Sequence, residues 1–532
     1  MSMNTVVKTD SGAVEGFVVD GLAVFKGIPY AAPPDGHLRM RAPAPPQSWE
    51  GVRPAHEFSA APPQLPLVPG MPRIWTPDDG MDCLSVNVWT PDIGSAGLPV
   101  MVWIYGGGWK SGSSSDPVHD GAMLARGGVV VVTFNYRVGF EGFGLVPGLP
   151  ANRGFLDQIA ALRWVRENIS RFGGDPDKVT VFGESGGAAS VAALMSAPAA
   201  QGLFRRAIVQ SLAGRYLPPA EAGRIAGIIA GAVGVSPEDL ATVAPEVLLA
   251  VQDVPLSAME ADPGAWSTPE AITSFSPVID GETVVDKPWI ALRSGVSRDV
   301  DLISGFTQDE FTMFSMSQGV IKPKPADLIR AMPLFAEMLI RRLRDRMKHT
   351  ESGPAGQRRR KARTVPDLQE VARLLGLDAS AADEYRAAFP RLTDRDLYTM
   401  MFSDSLFRMP STWLAEAHVA AGGRAYMYNF TWRSPQWKRT LGAVHALDVP
   451  VTFGNGDNAF ARFMIGRSVP DDFVRLSERL RTSWISFAAT GDPGWPQFTA
   501  EEPVIQIWDS QPSVAMDPLA PSRRIWSPLA AY

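Results

Sequence analysis

The segment Val179-Thr-Val-Phe-Gly183-Glu-Ser185-Gly-Gly187 constrains the fold more than any other stretch of the chain. Four β-formers run into G-x-S-x-G, and Ala188–Met195 then supplies a run of small and helix-compatible residues. A strand that turns directly into a helix through a glycine-flanked serine has little choice of geometry. The turn leaves no room for side chains beside the serine, so the hydroxyl is pushed out above the strand end. The helix N-terminus at that point favours developing negative charge. G-x-S-x-G arises readily by chance in a chain with 49 glycines. Its placement between a strand and a helix gives it weight.

The flanking sequence agrees with such a strand. Leu98–Tyr105 and Val129–Tyr136 are nearly continuous apolar β-formers, as in strands covered on both faces. Leu84–Thr90 alternates like a half-buried strand, and Val14–Val19 with Ala23–Tyr30 reads as a hairpin. Leu156, Ile159, Ala160, Leu162, Trp164, Val165 and Ile169 fall mostly on one helical face. Ala207–Gln210, Asp301–Gly305 and Ala425–Trp432 read as further strands, and Arg475–Ala489 as a final long helix. This β-α-β alternation predicts an α/β fold, a mostly parallel sheet with helices on both faces. Over 315–421 helical patterns replace the β-branched runs, which predicts a helical insertion within a single domain spanning 1–532.

Composition narrows the partners. The chain is 45% hydrophobic and 20% charged, the balance of a globular protein with a large core. A net charge of −6 argues against a nucleic-acid binder. A basic cluster between Arg341 and Arg363 reads as a solvated helix end and loop, because one short patch on an acidic protein gives a weak field. Cys83 is the single cysteine, so no intrachain disulfide forms, which favours a reducing compartment or a chain that needs no staples. The N-terminus lacks a basic region followed by an apolar one, and no apolar run approaches the ~20 residues of a membrane helix. A cytoplasmic protein without membrane association follows, as a monomer or weak homo-oligomer. No Cys/His ligand cluster and no G-x-x-x-x-G-K-[ST] loop occurs, so neither a metal nor a cofactor is expected.

A serine hydroxyl needs a base to take its proton. Six histidines are present, and in the α/β-hydrolase order of serine, acid, histidine three of them follow Ser185: His349, His418 and His445. His349 lies in the basic cluster and His418 in a helical run. His445 sits in a loop bounded by Gly442 and Pro450, the kind of segment that carries catalytic groups. The acid should follow a strand between them. Leu302–Gly305 leads into Asp309-Glu310, and spacing alone does not choose between these two. Tyr105-Gly106-Gly107-Gly108-Trp109 follows an apolar strand, and its glycines let backbone N–H groups approach a substrate oxygen together with the N–H of Gly186.

Ordered segments along nearly the whole chain then resemble the type-B carboxylesterases, a family that includes cholinesterases and bacterial p-nitrobenzyl esterases. They are Gly27-Ile-Pro-Tyr-Ala-Ala-Pro-Pro34, Asp82-Cys-Leu-Ser-Val-Asn-Val-Trp89, Tyr105–Trp109, Asn135-Tyr-Arg137, Gly154-Phe-Leu-Asp-Gln158 and Phe172-Gly-Gly-Asp-Pro176. Gly183–Gly187, Pro277-Val-Ile-Asp-Gly281, Asp309-Glu310, Gly442–His445 and Thr490-Gly-Asp-Pro493 complete the series. The resemblance implies an α/β-hydrolase fold and a serine carboxylesterase acting on a small ester and water. It implies a triad of Ser185, Glu310 and His445, with Asp309 a neighbour, and oxyanion donors at Gly107, Gly108 and Gly186. The same machinery would serve a carbamate or an amide, and a remote alternative is a non-catalytic binding member of the family.

The chain departs from the family pattern at several positions. Met81 stands where the family has a glutamate, so Arg39 must pair elsewhere. Pro62 replaces the cysteine that would pair with Cys83. Phe311 and Ala446 stand where glycines are usual, and Gly186 where alanine is. For the pocket, the resemblance offers Trp75 and Trp109 as lining residues. It places Ala271 and Thr273 at the acyl site, where small side chains leave room beyond acetyl.

Overall fold

A computed structural model of the chain describes residues 5–66, 73–95, 97–267, 272–332, 365–437 and 440–530. The basic cluster 341–363, His349 and Ala271 lie outside the described residues. The strands, in chain order, are β1 (Val6–Lys8), β2 (Ala13–Glu15), β3 (Phe17–Val19), β4 (Leu22–Pro29), β5 (Val52–Pro54), β6 (Ser85–Thr90) and β7 (Leu98–Ile104). They continue with β8 (Val130–Phe134), β9 (Gly174–Glu184), β10 (Arg206–Gln210), β11 (Asp301–Thr307), β12 (Ala425–Phe430), β13 (Val504–Trp508) and β14 (Ser513–Met516). Eleven of them form one sheet in the order β14-β13-β12-β11-β10-β9-β7-β8-β6-β4-β3. The run from β13 to β8 is parallel, and the outer pairs on each side are antiparallel. Every residue of β8, β10, β11 and β12 is buried, so none of them shows an in–out alternation of apolar and polar positions.

Helices Arg153–Asn168, Gly186–Ser196 and Asp471–Thr490 pack on this sheet. A fully buried ion pair ties the loop after β8 to the first of them, with Arg137 Nη2 2.7 Å from Asp157 Oδ1. That bond joins two of the segments singled out in the sequence, Asn135–Arg137 and Gly154–Gln158. Over the described part of 315–421 the chain is helical and contains no strand.

One local expectation changes. Val14–Val19 is not one strand: it breaks at Gly16, and β2 joins β1 and β5 in a separate three-stranded sheet. A Cβ at Gly16 would lie 2.5 Å from Val24 O, so the break sits where two backbones touch. The final long helix expected over 475–489 runs over Asp471–Thr490, and only β13, β14 and short helical segments, among them Ala520–Trp526, follow it.

The parallel strands share one direction, so their C-terminal ends open on one edge of the sheet. There β7 leads into Gly106–Gly108, β9 into Ser185, β11 into Asp309-Glu310, and β12 into the segment that carries His445.

Candidate active site

Ser185 stands between β9 and the helix Gly186–Ser196 with φ 57° and ψ −121°, a strained conformation for a side-chain-bearing residue. Packing holds it there. A Cβ at Gly183 would fall 2.7 Å from Ile104 O, and one at Gly187 2.0 Å from the same oxygen. Both glycines of the motif are therefore required by the close approach of β7. Gly186 differs: a methyl there meets Gly108 N and the Trp109 ring at ordinary contact distance, 3.4 Å. Ser185 retains accessible surface, as do Gly106, Gly107 and Gly108.

The glycine loop adopts left-handed backbone at Gly107 (φ 103°) and Gly108 (φ 62°). A Cβ at Gly107 would collide with Ser111 O at 2.2 Å. The N–H groups of Gly107, Gly108 and Gly186 donate to no acceptor among the described residues. Three backbone donors thus remain available beside the serine, the arrangement that stabilises an oxyanion.

His445 and the acid loop meet from two strand ends. His445 Nδ1 lies 2.5 Å from Glu310 Oε2, and Glu310 Oε1 accepts the Thr307 N–H at 2.8 Å. Asp309 has a different task. Its Oδ2 accepts the Ala443 N–H at 2.8 Å and its own N–H donates to Ala443 O at 2.9 Å. A methyl at Gly442 would lie 2.1 Å from that carboxylate. Asp309 thus stitches the acid loop to the histidine loop, while Glu310 takes the imidazole. His418, by contrast, is buried far along its helix with Nε2 on Val300 O at 2.9 Å.

The expected contact between Ser185 and His445 is not a hydrogen bond: none links Ser185 Oγ to His445 among the described residues. Instead His445 Nε2 lies 3.1 Å from Glu184 Oε1. Burial alone would lower the imidazole's affinity for a proton. The charges of Glu184 and then Glu310 outweigh burial and hold it above the usual histidine range. Burial pushes Glu184 upward against the pull of His445. A third buried carboxylate, Asp448, has Oδ2 on Gln210 Nε2 (3.0 Å) and Tyr428 OH (3.1 Å), and burial raises it to about 6.

Two aromatic rings cover the imidazole, Phe407 with its centroid at 4.4 Å and Phe314 at 5.6 Å. Phe407 lies in a π-helical turn, Asp404–Arg408, inserted between helices Asp394–Ser403 and Met409–Ala420. The wider turn aims Phe407 at the base and leaves Leu406 O to accept the Gly214 N–H at 2.7 Å. Ser403 Oγ accepts the Phe311 N–H at 3.0 Å, bracing the residue after the acid. Phe311 is fully buried and stacks on Phe402, so the side chain in the usual glycine position is absorbed by the helical segment. These contacts had no signature in the sequence.

The pocket expectations fare differently. Trp109 is buried, its Nε1 bonded to Ser190 Oγ at 3.2 Å and its ring against Gly186. Thr273 is also buried, with Oγ1 donating to Gly108 O at 2.9 Å. It thereby ties the loop to the segment after 272. Trp75 sits in a separate small apolar cluster with Ala61, Leu249 and Leu65, its Nε1 bonded to Gly80 O. No contact among the described residues brings it to the triad. The sequence departures resolve locally. Arg39 pairs with Glu141 at 2.5 Å, Cys83 is buried and free, and Ala446 adopts φ 65°, where glycine would be at ease. Among the described residues there is no cluster of ligands that could hold a metal ion, and no helix long and apolar enough to cross a membrane.

The chain matches a model of the carboxylesterase family over residues 3–526. It is 34% identical to the para-nitrobenzyl esterase of Bacillus subtilis over 98% of both chains, and 32% identical to the phenmedipham hydrolase of Pseudarthrobacter oxydans over 97% and 98%. Among solved structures it is similar to a thermophilic PNB esterase, with a TM-score of 0.79 at 33% identity over 98% and 99% of the two chains.

Proposed function

We propose, from the premise that this chain belongs to the carboxylesterase family and is a carboxylic ester hydrolase of the α/β-hydrolase fold, that Ser185, His445 and Glu310 carry the reaction. Ser185 Oγ attacks the ester carbonyl. His445 Nε2 takes the serine proton and returns it to the departing alcohol, and Glu310 orients the ring through Nδ1. The N–H groups of Gly107, Gly108 and Gly186 receive the oxyanion. Water, activated by the same histidine, then hydrolyses the acyl-enzyme. One observation carries this reading: Glu310 Oε2 lies 2.5 Å from His445 Nδ1, at the strand ends that also present the strained serine. Replacing Ser185 by Ala is expected to lower kcat by on the order of 10⁶ without unfolding the protein. Retained turnover of a p-nitrophenyl ester would refute the assignment.

The substrates proposed are small esters of short to medium acyl chain. Each methylene held in an apolar pocket adds roughly 0.8 kcal/mol, up to about fourfold in kcat/KM. A p-nitrophenyl series from two to twelve carbons should rise from acetyl to butyryl and fall for long chains. A maximum at acetyl contradicts it. Matched carbamates and amides in the same panel test the choice of bond.

A further inference from the structure

His445 meets a carboxylate at each ring nitrogen. Nδ1 faces Glu310, and Nε2, which the proposed mechanism needs for the Ser185 proton, lies 3.1 Å from Glu184 Oε1. That contact is ionic rather than hydrogen-bonded in its angles, and Glu184 Oε1 has no hydrogen-bond partner among the described residues. Glu184 is buried and ends β9, so its carboxylate and the Ser185 hydroxyl leave the turn from adjacent positions and compete for one nitrogen. Its other oxygen faces Gly106, where a Cβ would lie 2.7 Å away. The glycine that opens the oxyanion loop thereby makes room for this carboxylate.

We propose that Glu184 is a positioning residue that holds Nε2 of His445 in the free enzyme and sets the pH at which the base becomes available to Ser185. This rests on the reading of Ser185 and His445 as nucleophile and base. The ionisable groups facing the pair are Glu310 on Nδ1 and Asp448, held by Gln210 and Tyr428; Phe314 and Phe407 cover the ring. With Glu184 ionised, its charge favours the imidazolium, which cannot accept a proton. Loss of that proton frees Nε2, so activity climbs as pH rises through the base's titration. In the tetrahedral intermediate the imidazolium forms again, and Glu184 then stabilises it. Removing the charge therefore has two opposite consequences: the base becomes available at lower pH, and the maximal rate falls. A residue with a merely structural role would lower the maximum without moving the pH limb.

The test is the pH profile of kcat/KM on p-nitrophenyl butyrate for the wild type and Glu184→Gln. The acid limb of the variant should move down by about one to three pH units, the range expected on losing an opposite charge at this distance, with a lower plateau. An unmoved limb overturns the proposal. Should Glu184→Gln not fold, the profile of Glu184→Asp, which draws the carboxylate back from Nε2 by one methylene, decides: an acid limb moved down upholds the proposal, and a limb that matches the wild type overturns it. A fluorophosphonate label on Ser185 separates the two levels. With the label present, an unmoved limb removes only the role of Glu184; without it, the underlying reading falls and takes the proposal with it.

Discussion

Two neighbouring glycines after the serine should respond in opposite ways to the same substitution. In Gly186→Ala, the added methyl meets Gly108 N and the Trp109 ring at 3.4 Å, ordinary van der Waals contact. Gly186 opens a helix and keeps its N–H as alanine, so the change mainly restricts the unfolded chain and should add about 0.4–1 kcal/mol of stability. In Gly187→Ala, the methyl would lie 2.0 Å from Ile104 O and 2.8 Å from Tyr105 O. Both are backbone atoms, of β7 and of the residue that leads into the oxyanion glycines, so no rotamer change relieves the clash. The turn must lift from the sheet at a cost of about 1–3 kcal/mol or more. An unfolding entropy of about 2 cal/mol/K per residue makes 1 kcal/mol worth about 1 °C in a chain of 532 residues. Differential scanning calorimetry should place the Gly186→Ala midpoint up to about 1 °C above the wild type and the Gly187→Ala midpoint about 1–3 °C or more below it. Activity separates them further. A displacement of the nucleophile by about 1 Å costs on the order of 100-fold in kcat, and Gly187→Ala should lose at least that, whereas Gly186→Ala should stay near the wild-type rate. Equal damage from both substitutions, or a fully active Gly187→Ala, would refute the argument from the approach of β7.

Glu310→Gln should lower kcat by about 10⁴-fold, the scale of removing an imidazole's acid partner. Asp309→Asn should cost less than tenfold while lowering the thermal midpoint, since Asp309 holds the Ala443 backbone rather than the ring; stopped assays on one ester with calorimetry check both. Ala446→Gly should stabilise the fold by about 1 kcal/mol, because alanine at φ 65° carries a strain that glycine does not, and a lowered midpoint would contradict this. Thr273→Val removes the hydrogen bond to Gly108 O, so it should lower kcat for all acyl lengths alike. A changed chain-length profile would return Thr273 to the pocket wall.

What the sequence disclosed follows from how local each constraint is. The strand ends and glycine loops were legible because Gly183, Gly187 and Gly107 leave no space for a Cβ, and such demands are written in residue identity. The parallel sheet showed in the unbroken apolar runs of β7 and β8 for the same reason. Asp309 and Glu310 could not be separated by spacing, since adjacent residues leave a loop in different directions and only the fold decides which reaches His445. Trp109 and Thr273 both lie against the glycine loop, but the bonds of Trp109 to Ser190 and of Thr273 to Gly108 were hidden, because sequence position does not reveal which way a side chain turns. Gly16 marked a break that the surrounding valines concealed. The contact of Glu184 with Nε2 and the π-helical turn behind Phe407 depend on elements far apart in the chain, and neither left a periodicity to read.

The most direct test of the account is covalent capture of the nucleophile. The folded wild-type protein is treated with a fluorophosphonate, digested, and mapped by mass spectrometry alongside Ser185→Ala. The account predicts a single phosphonyl adduct on the peptide carrying Gly183-Glu-Ser-Gly-Gly187, matched by loss of esterase activity, and no adduct in Ser185→Ala. An adduct on another residue that abolishes activity, or full activity with Ser185 modified, would contradict it.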